Sequence, residues 1–163
     1  MGMTAHLWLK ANGKDIKGES TQSSMGRADT IECLSWEQGC TSARESATGM
    51  VTGRRQHSPI KILKRIDKAS PLIMKALCNN EKIDATFKFY RPNPKGDGTT
   101  EQFYTVVIKD GHVASVKDML LDTLRQETVK DPPLEEVAFV FKTINWTFMD
   151  GGVVHEDSWS EGK

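Results

Sequence analysis

Histidines, which often serve as metal ligands and general bases, are scattered through this sequence. The four are His6, His57, His112 and His155. None lies at the i, i+4 or HxH spacing from another ligand that is typical of a metal site. The nearest grouping, His155-Glu156-Asp157, lies in a polar stretch near the carboxyl end and favours a solvated tail. The histidines therefore predict no metal site.

The cysteine, serine and glycine residues also lack the spacings of known metal, nucleophile or phosphate-binding motifs. The cysteines are Cys33, Cys40 and Cys78. Their odd number and the lack of CxxC spacing favour free thiols over a disulfide framework or a zinc site. Gly18-Glu19-Ser20 and Gly111-His112 lack the glycine pattern of a hydrolase nucleophile. Gly96-Asp97-Gly98 lacks the partner residues of a calcium or phosphate loop and predicts a hairpin turn. We therefore expect no cofactor and no enzymatic activity.

The charges are balanced. Lysine plus arginine and aspartate plus glutamate each number 22, so no global field would attract nucleic acid or an anionic membrane. A local basic cluster comprises Arg54, Arg55, His57, Lys61, Lys64, Arg65 and Lys68. The aromatic residues that would stack on bases are missing beside it. Charged residues interrupt the longest apolar run, residues 134–149, which excludes a membrane span. Neither nucleic acid nor a membrane is expected as a partner.

The length of 163 residues fits one domain, which we assign to residues 3–163, since two separate cores would each be marginal. Met1-Gly2 are interpreted as a cloning remnant because Met3 would itself serve as a start. Lys10 and Lys14 lie where a secretory signal would be apolar. We therefore expect no signal peptide and synthesis in the cytoplasm.

Period-two alternation of apolar residues predicts strands over most of the chain. The predicted strands comprise residues 6–10, 30–36, 58–66, 82–90, 101–108, 112–121 and 153–159, and residues 134–149 as a hairpin or one long bent strand. Leu34 and Trp36 are predicted to share the inward face of the second strand. Ile60 and Ile62, together with Lys64, are predicted to share one face of the third. Asp110-Gly111 is predicted to form a tight turn.

One helix interrupts the strands. Ser70 is predicted to cap it, Pro71 suits its first turn, and Asn79-Asn80 ends it. An isolated helix among many strands favours a mainly β fold: a closed or nearly closed antiparallel β-barrel of about eight strands with one flanking α-helix.

Two segments, from Lys17 to Asp29 and from Gly39 to Gln56, are rich in serine, threonine and glycine and are predicted to be loops. The second contains a short predicted strand at Gly49-Met50-Val51. Its charged residues are Arg44, Glu45, Arg54 and Arg55. Long loops in compact domains are usually functional or disordered, so this protruding loop is the predicted interaction site.

The four tryptophans divide into two groups. Trp8, Trp36 and Trp146 occupy predicted strands and are expected in the core. Trp159 follows a glycine pair in a polar tail and is expected to make a subunit contact.

Several of these segments, in this order, resemble the haemolysin-coregulated protein (Hcp) family, the inner-tube subunits of the bacterial type VI secretion machine. The resemblance rests on Gly18-Glu19-Ser20, residues 31–39 with Trp36, the DKASP motif at Asp67 to Pro71, Phe87-Lys88-Phe89-Tyr90, and Asp150-Gly151-Gly152-Val153-Val154. DKASP before the helix and DGGVV near the end are the most specific of these.

The resemblance implies a β-barrel of two sheets, assembled into homohexameric rings that stack into a tube driven by a contractile sheath. Implied partners are other copies of the chain, a VgrG-type spike, sheath and baseplate proteins, and small effectors carried in the lumen. The tube protein itself would be secreted. The loop from Gly39 to Gln56, with Met50 and its charged residues, would contact neighbouring subunits or rings. Reversing Arg54 and Arg55 to glutamate is then expected to impair these contacts without unfolding the barrel.

The channel lining follows from strand alternation. If Leu34 and Trp36 point inward, Cys33, Ser35 and Glu37 point outward, which makes Ser35 and Glu37 the lumen candidates. A solvated face or a subunit contact is the alternative for this surface. Two other functions stay open at this point: a monomeric β-barrel binding module that uses the loop from Gly39 to Gln56, and a hydrolase whose catalytic residues are dispersed in the sequence.

Overall fold

The alternating apolar positions form mainly antiparallel strands in the computed structural model, which describes residues 3–158. The strands are β1 (Thr4–Ala11), β2 (Lys14–Ile16), β3 (Ile31–Cys33), β4 (Ser35–Glu37), β5 (Cys40–Thr41), β6 (Gln56–His57), β7 (Ile60–Arg65), β8 (Ile83–Pro92), β9 (Thr100–Met119), β10 (Leu134–Val140), β11 (Thr143–Phe148) and β12 (Val153–Ser158). The α-helix of this part of the chain is α1 (Ser70–Cys78). Within the same residues, no helix is long and apolar enough to cross a membrane.

The main sheet has ten strands. Its path is β2-β1-β8-β9-β10-β7-β4, while β3 also pairs with β1 and the β11–β12 hairpin adds to β9. Strands β5 and β6 form a separate two-stranded sheet. The predicted mainly β, antiparallel fold with one helix is thus confirmed for residues 3–158. Closure of the barrel is not confirmed, because the path ends at β4 rather than returning to β2.

Strand β9 is a single strand of 20 residues, so the tight turn predicted at Asp110-Gly111 was wrong. Residues 104–109 pair with β11, and residues 112–119 pair with β10. Asp110 has φ 54°, which marks a local bend between the two halves. A Cβ on Gly111 would lie 2.3 Å from the carbonyl oxygen of Val140, so only glycine fits this approach. The glycine is therefore a packing requirement of a bent strand.

The predicted strand over residues 30–36 is interrupted at Leu34. Cys33 is buried, whereas Leu34 is exposed and its amide donates to the carbonyl of Leu63 at 2.6 Å. The expected inward direction of Leu34 and outward direction of Cys33 were therefore wrong. A residue that breaks the regular pairing shifts the alternation by one, so β4 has its own inward residue, Trp36.

Residues 134–149 form a bent strand rather than a hairpin, since β10 and β11 follow different halves of β9. Strand β12 then pairs back on β11. Inward side chains of these strands and of β1, β7 and β8 make one core, against which α1 packs Ile73 and Ala76. As predicted, Ile60, Ile62 and Lys64 share the buried face of β7.

Lys64 explains the DKASP motif at the start of the helix. Its ammonium group is fully buried, and its three N–H donors face four oxygens within hydrogen-bond distance: Arg65 O at 2.9 Å, Asp67 Oδ1 at 3.0 Å, Ser70 Oγ at 3.1 Å and Glu135 Oε1 at 2.9 Å. Ser70 is the first helical residue and Ala69 precedes it as the cap, so the predicted serine cap was wrong by one position. The Ser70 hydroxyl instead accepts from the Asp67 amide at 3.0 Å.

Candidate assembly surface

The loop from Gly39 to Gln56 folds into an ordered hairpin that we call the arm, residues 39–57. Cys40 pairs with His57 and Thr41 with Gln56. Beyond this ladder, the Thr52 amide donates to the Ala43 carbonyl at 2.9 Å. The short strand predicted at residues 49–51 is only one bridge, between Arg44 and Val51. Arm order therefore comes mainly from hydrogen bonds within the arm.

The tip of the arm brings together three of the predicted contact residues. The Glu45 amide donates to the Met50 carbonyl at 2.8 Å, and the Glu45 carboxylate accepts from Thr48 Oγ1 at 2.9 Å. Arg44 Nη1 donates to the Gly49 carbonyl at 3.2 Å, and Gly49 has φ 73°. Met50 is 65% exposed. The tip thus presents an apolar side chain beside one positive and one negative charge.

The base of the arm is held by Asp157 of β12. Arg55 Nε donates to Asp157 Oδ2 at 2.7 Å, and Arg55 Nη2 donates to Asp157 Oδ1 at 2.6 Å. His57 Nε2 lies 2.7 Å from the same Oδ2, and Arg55 Nη2 also donates to the Ser158 carbonyl at 2.9 Å. Hydrogen bonds from Arg55, with further ones from His57, hold the pKa of Asp157 well below its usual range. We call Arg55, His57 and Asp157 the arm base.

A stack of rings runs from the arm base over Trp146, which packs against the core, to the exposed His155. Trp146 lies parallel to His155 at 5.6 Å between centroids, and His57 lies over Trp146 at 6.2 Å. Trp146 Nε1 donates to the Gln38 amide oxygen at 3.1 Å, at the start of the arm. His57 also meets Phe141 edge-to-face at 5.4 Å. The arm is therefore joined to the β11–β12 hairpin by apolar and polar contacts.

These contacts correct the predicted solvated tail at residues 155–157. The segment belongs to β12, and the Asp157 side chain is only 16% exposed. The prediction of a solvated segment was wrong at Asp157, because its polar partners, Arg55 and His57, lie about one hundred residues earlier and have no local signature. His155 and Glu156 are exposed, as expected. Trp36 and Trp146 pack against the core as expected. Trp8 instead lies on the outer face of β1, with the Lys88 ammonium 4.4 Å from its ring centroid.

The arm base does not have the geometry of a cysteine nucleophile with its base. Cys40 Sγ lies 3.9 Å from His57 Nε2, the same nitrogen that Asp157 approaches. In a catalytic triad, the nucleophile and the carboxylate use opposite nitrogens of the imidazole. In residues 3–158, no group of three or more histidine, cysteine, aspartate or glutamate side chains could hold a metal ion.

Ser35 and Glu37, the lumen candidates, are exposed on the outer face of β4. They pair with Leu63 and Lys61 of β7. Trp36 between them turns to the opposite side, where it meets Phe89 edge-to-face at 4.9 Å. Strand β4 directly precedes the arm in the chain.

Two other predicted contact residues have different surroundings. Arg54 is exposed in the arm, while Arg55 is half-buried in the arm base. Trp159 lies outside the described residues. The sequence did not predict the roles of Asp157 and the ring stack. Its local signal for them is that His155 and Asp157 are two residues apart and therefore share one face of β12.

Comparison with known proteins places this fold in a family. The family model described as "Type VI secretion system effector, Hcp" matches residues 8–148. The chain is 30% identical over 135 residues to the "Major exported protein" of Pseudomonas aeruginosa, a match that covers 82% of this chain and 77% of the relative.

Solved structures agree with this assignment. A double mutant of Hcp1 from Escherichia coli superposes with a TM-score of 0.81 at 29% identity, covering 96% of this chain and 98% of that one. Secreted protein Hcp3 of P. aeruginosa gives a TM-score of 0.71 at 22% identity over 96% of this chain and 98% of that one, which supports the fold alone. Since the family match spans most of the chain, this protein belongs to the Hcp family of type VI secretion system effectors.

Proposed function

We propose that this chain forms homohexameric rings that stack into a type VI secretion tube and carry small effectors in the lumen. Members of the family are structural secreted proteins, and the chain is not an enzyme. The observation that carries the proposal is the arm: an ordered, exposed hairpin that stands away from the core yet has a fixed base. A rigid projection suits association because little conformational freedom is lost when it binds.

The arm tip supplies the contact with a neighbouring subunit or ring. Arg44 and Glu45 offer charges of both signs, and Met50 offers an exposed apolar group. Exposed ion pairs are weak and sensitive to salt, which suits a contact that forms repeatedly along a tube and can be undone. Arg54 belongs to the same surface. Head-to-tail contacts of this kind close into rings or continue as stacks.

We propose that residues 31–37 close the barrel. Strand β3 pairs with β1 and strand β4 pairs with β7, and only Leu34 separates them. One interrupted strand thus bridges the two ends of the sheet. We place Ser35 and Glu37, on its outer face, in the channel, where Glu37 lies opposite Lys61 and Ser35 opposite Leu63.

The remaining partners follow from the family. They are a VgrG-type spike, the sheath and the baseplate, and residues 3–163 act as a single domain in this assembly. The protein is made in the cytoplasm and exported by the machine that it builds, in line with the name of its relative, "Major exported protein".

Light scattering and negative-stain imaging of the purified protein test the proposal. Rings are expected, with tubes at high concentration, and a strict monomer at high concentration would instead favour a binding module that uses the arm.

The contribution of the arm is tested by Arg54→Glu, with Lys130→Glu as the matched charge reversal on an exposed loop outside the arm. Arg55 is left intact in this experiment, because a glutamate there would face Asp157 and disturb the arm base. Loss of tubes or rings is expected for Arg54→Glu alone. Tubes and secretion equal to those of wild type would remove Arg54 from the contact.

A further inference from the structure

We propose that Asp157 is a positioning residue for the arm, so that ring stacking depends on the last strand of the chain as well as on the arm itself. This inference rests on the proposed function, because it concerns how the arm is presented to the next ring. Asp157 makes no contact at the tip; it acts through Arg55 and His57.

The geometry of Asp157 distinguishes it from an ordinary surface acid. Both carboxylate oxygens are used, in a two-point contact with the Arg55 guanidinium at 2.6 and 2.7 Å. A bidentate contact fixes the orientation of the arginine as well as its distance. The imidazole of His57 approaches one of the same oxygens at 2.7 Å. Two residues of the arm, Arg55 and His57, are therefore attached to one side chain of β12.

The site is also shielded enough for these bonds to matter. The Asp157 side chain is 16% exposed, the Arg55 side chain 25% and the His57 side chain 2%. Water competes less with such pairs than with fully exposed ones. At its base, the ladder of the arm consists of two residue pairs, Cys40 with His57 and Thr41 with Gln56. A short hairpin of this size is marginal without further support.

The position of the arm base sets the direction of the arm. Gln38, just before the arm, and His57, its last residue, both contact Trp146 of β11. With Asp157 in place, the hairpin is held at the ring stack and at the carboxylate. Without it, the base of the arm loses its charged contact, and the short ladder of Cys40 with His57 and Thr41 with Gln56 should open more often. An arm whose base opens often would reduce the fraction of subunits ready to bind the next ring.

The test compares Asp157→Asn with Asp110→Asn, which removes the same charge from an exposed pair with Lys82. Hydrogen exchange of the full-length protein follows the amides of Thr52 and Ser58, which donate across the arm to Ala43 and Gly39. Exchange at these amides is expected to rise at least about tenfold in Asp157→Asn, the factor that corresponds to a lost hydrogen bond to a charged group. In Asp110→Asn it is expected to stay at the wild-type rate.

A double-mutant cycle with Arg55→Gln shows whether the two residues act as one contact. Each single variant should release the arm, and the double variant should release it no further. Asp157→Glu, which keeps the charge, should restore much of the slow exchange. Additive effects of Asp157→Asn and Arg55→Gln, or an unchanged arm in Asp157→Asn, would overturn the proposed positioning.

The formation of rings and tubes is the second measurement, because it tests whether Asp157 acts on stacking through the arm. In Asp157→Asn, rings should persist in sedimentation while tubes decrease at least about tenfold, since the arm is the stacking contact. Wild-type tube formation despite a released arm would overturn the link to stacking. If the wild-type protein formed no rings at all, the proposed function would fail, yet exchange in the arm would still decide whether Asp157 positions it. Should Asp157→Asn misfold, Arg55→Gln gives the same comparison.

Discussion

Replacement of the buried Lys64 by methionine tests the clearest energetic claim of the fold. Lys64 and Glu135 are both fully buried and lie 2.9 Å apart, on neighbouring strands β7 and β10. Removing one partner leaves a buried carboxylate without its counter-charge, which typically costs about 3–5 kcal/mol. Because a domain is stable by only about 5–15 kcal/mol, Lys64→Met should remove a large part of the free energy of unfolding.

The surroundings of Glu135 set the pH dependence of that loss. Burial raises the pKa of Glu135, a neighbouring Asp118 raises it further, and Lys64 lowers it. Without Lys64 the carboxyl should take up a proton more readily, and a neutral acid is cheaper to bury than a carboxylate. The loss in Lys64→Met should therefore be largest near neutral pH and shrink as the pH falls toward 5.

Urea unfolding followed by tryptophan fluorescence measures these free energies. All variants are compared at one protomer concentration, because assembly adds to apparent stability. Lys61→Met is the control, since Lys61 lies on the exposed face of the same strand. The double variant Lys64→Met/Glu135→Leu should recover most of the loss, because a well-packed apolar pair can replace a buried ion pair. A loss below about 1 kcal/mol for Lys64→Met, or a double variant no more stable than the single one, would refute this reasoning.

Three further outcomes are expected. Gly111→Ala should lower the free energy of unfolding by about 3 kcal/mol or more, because its Cβ would lie 2.3 Å from the Val140 carbonyl oxygen. Gly39→Ala is the control: the atom nearest to its Cβ would be 3.7 Å away, so its melting temperature should stay close to that of wild type. Equal melting temperatures for the two variants would contradict this. Burial, with a further effect of Arg27, lowers the pKa of His6 from 6.5 to about 4. The unfolded chain then binds the extra proton between these values, so stability should fall by up to about 3 kcal/mol as the pH drops from 6.5 to 4. His6→Gln should flatten the pH profile of unfolding, and an unchanged slope would exclude His6 as its source. Burial raises the pKa of Cys33 to about 12, so Cys33 should react with a thiol reagent only after unfolding, while the exposed Cys78 reacts in the native state; native labelling of Cys33 would be the contrary result.

The parts of the fold that sequence predicted are those set by local periodicity. Ile60, Ile62 and Lys64 were placed on one face of β7 by alternation alone, and the helix was bounded by Pro71 and Asn79-Asn80. The failures lie where tertiary contacts override the local signal. Asp110-Gly111 has the composition of a turn, yet the strand continues through it, and the glycine is required because the Val140 carbonyl lies close to it.

In the candidate site, too, one part was predicted from the sequence and another was not. Composition identified the arm, because long segments rich in serine, threonine and glycine seldom belong to a core. It could not identify the arm base, because Asp157 lies about one hundred residues from Arg55 and His57 and its neighbours in sequence are polar. The predicted inward direction of Leu34 was wrong for a related reason. This one residue between β3 and β4 reverses which positions face inward, and no local pattern in the sequence marks the break.

The difference between tip and base determines which substitutions should matter most for stacking. Arg44 at the tip can offer an exposed charge, and single exposed pairs contribute about 0–1 kcal/mol. Asp157 at the base contributes to every contact that the arm makes, because it determines whether the whole tip is presented in one orientation. In the proposed hexameric ring the same argument applies to each of the six arms, because contacts made together add their effects if the geometry permits. Asp157→Asn should therefore weaken stacking more than Arg44→Ala, although Asp157 lies far from the contact; the reverse order in a sedimentation assay of tubes would locate the binding energy in the tip itself.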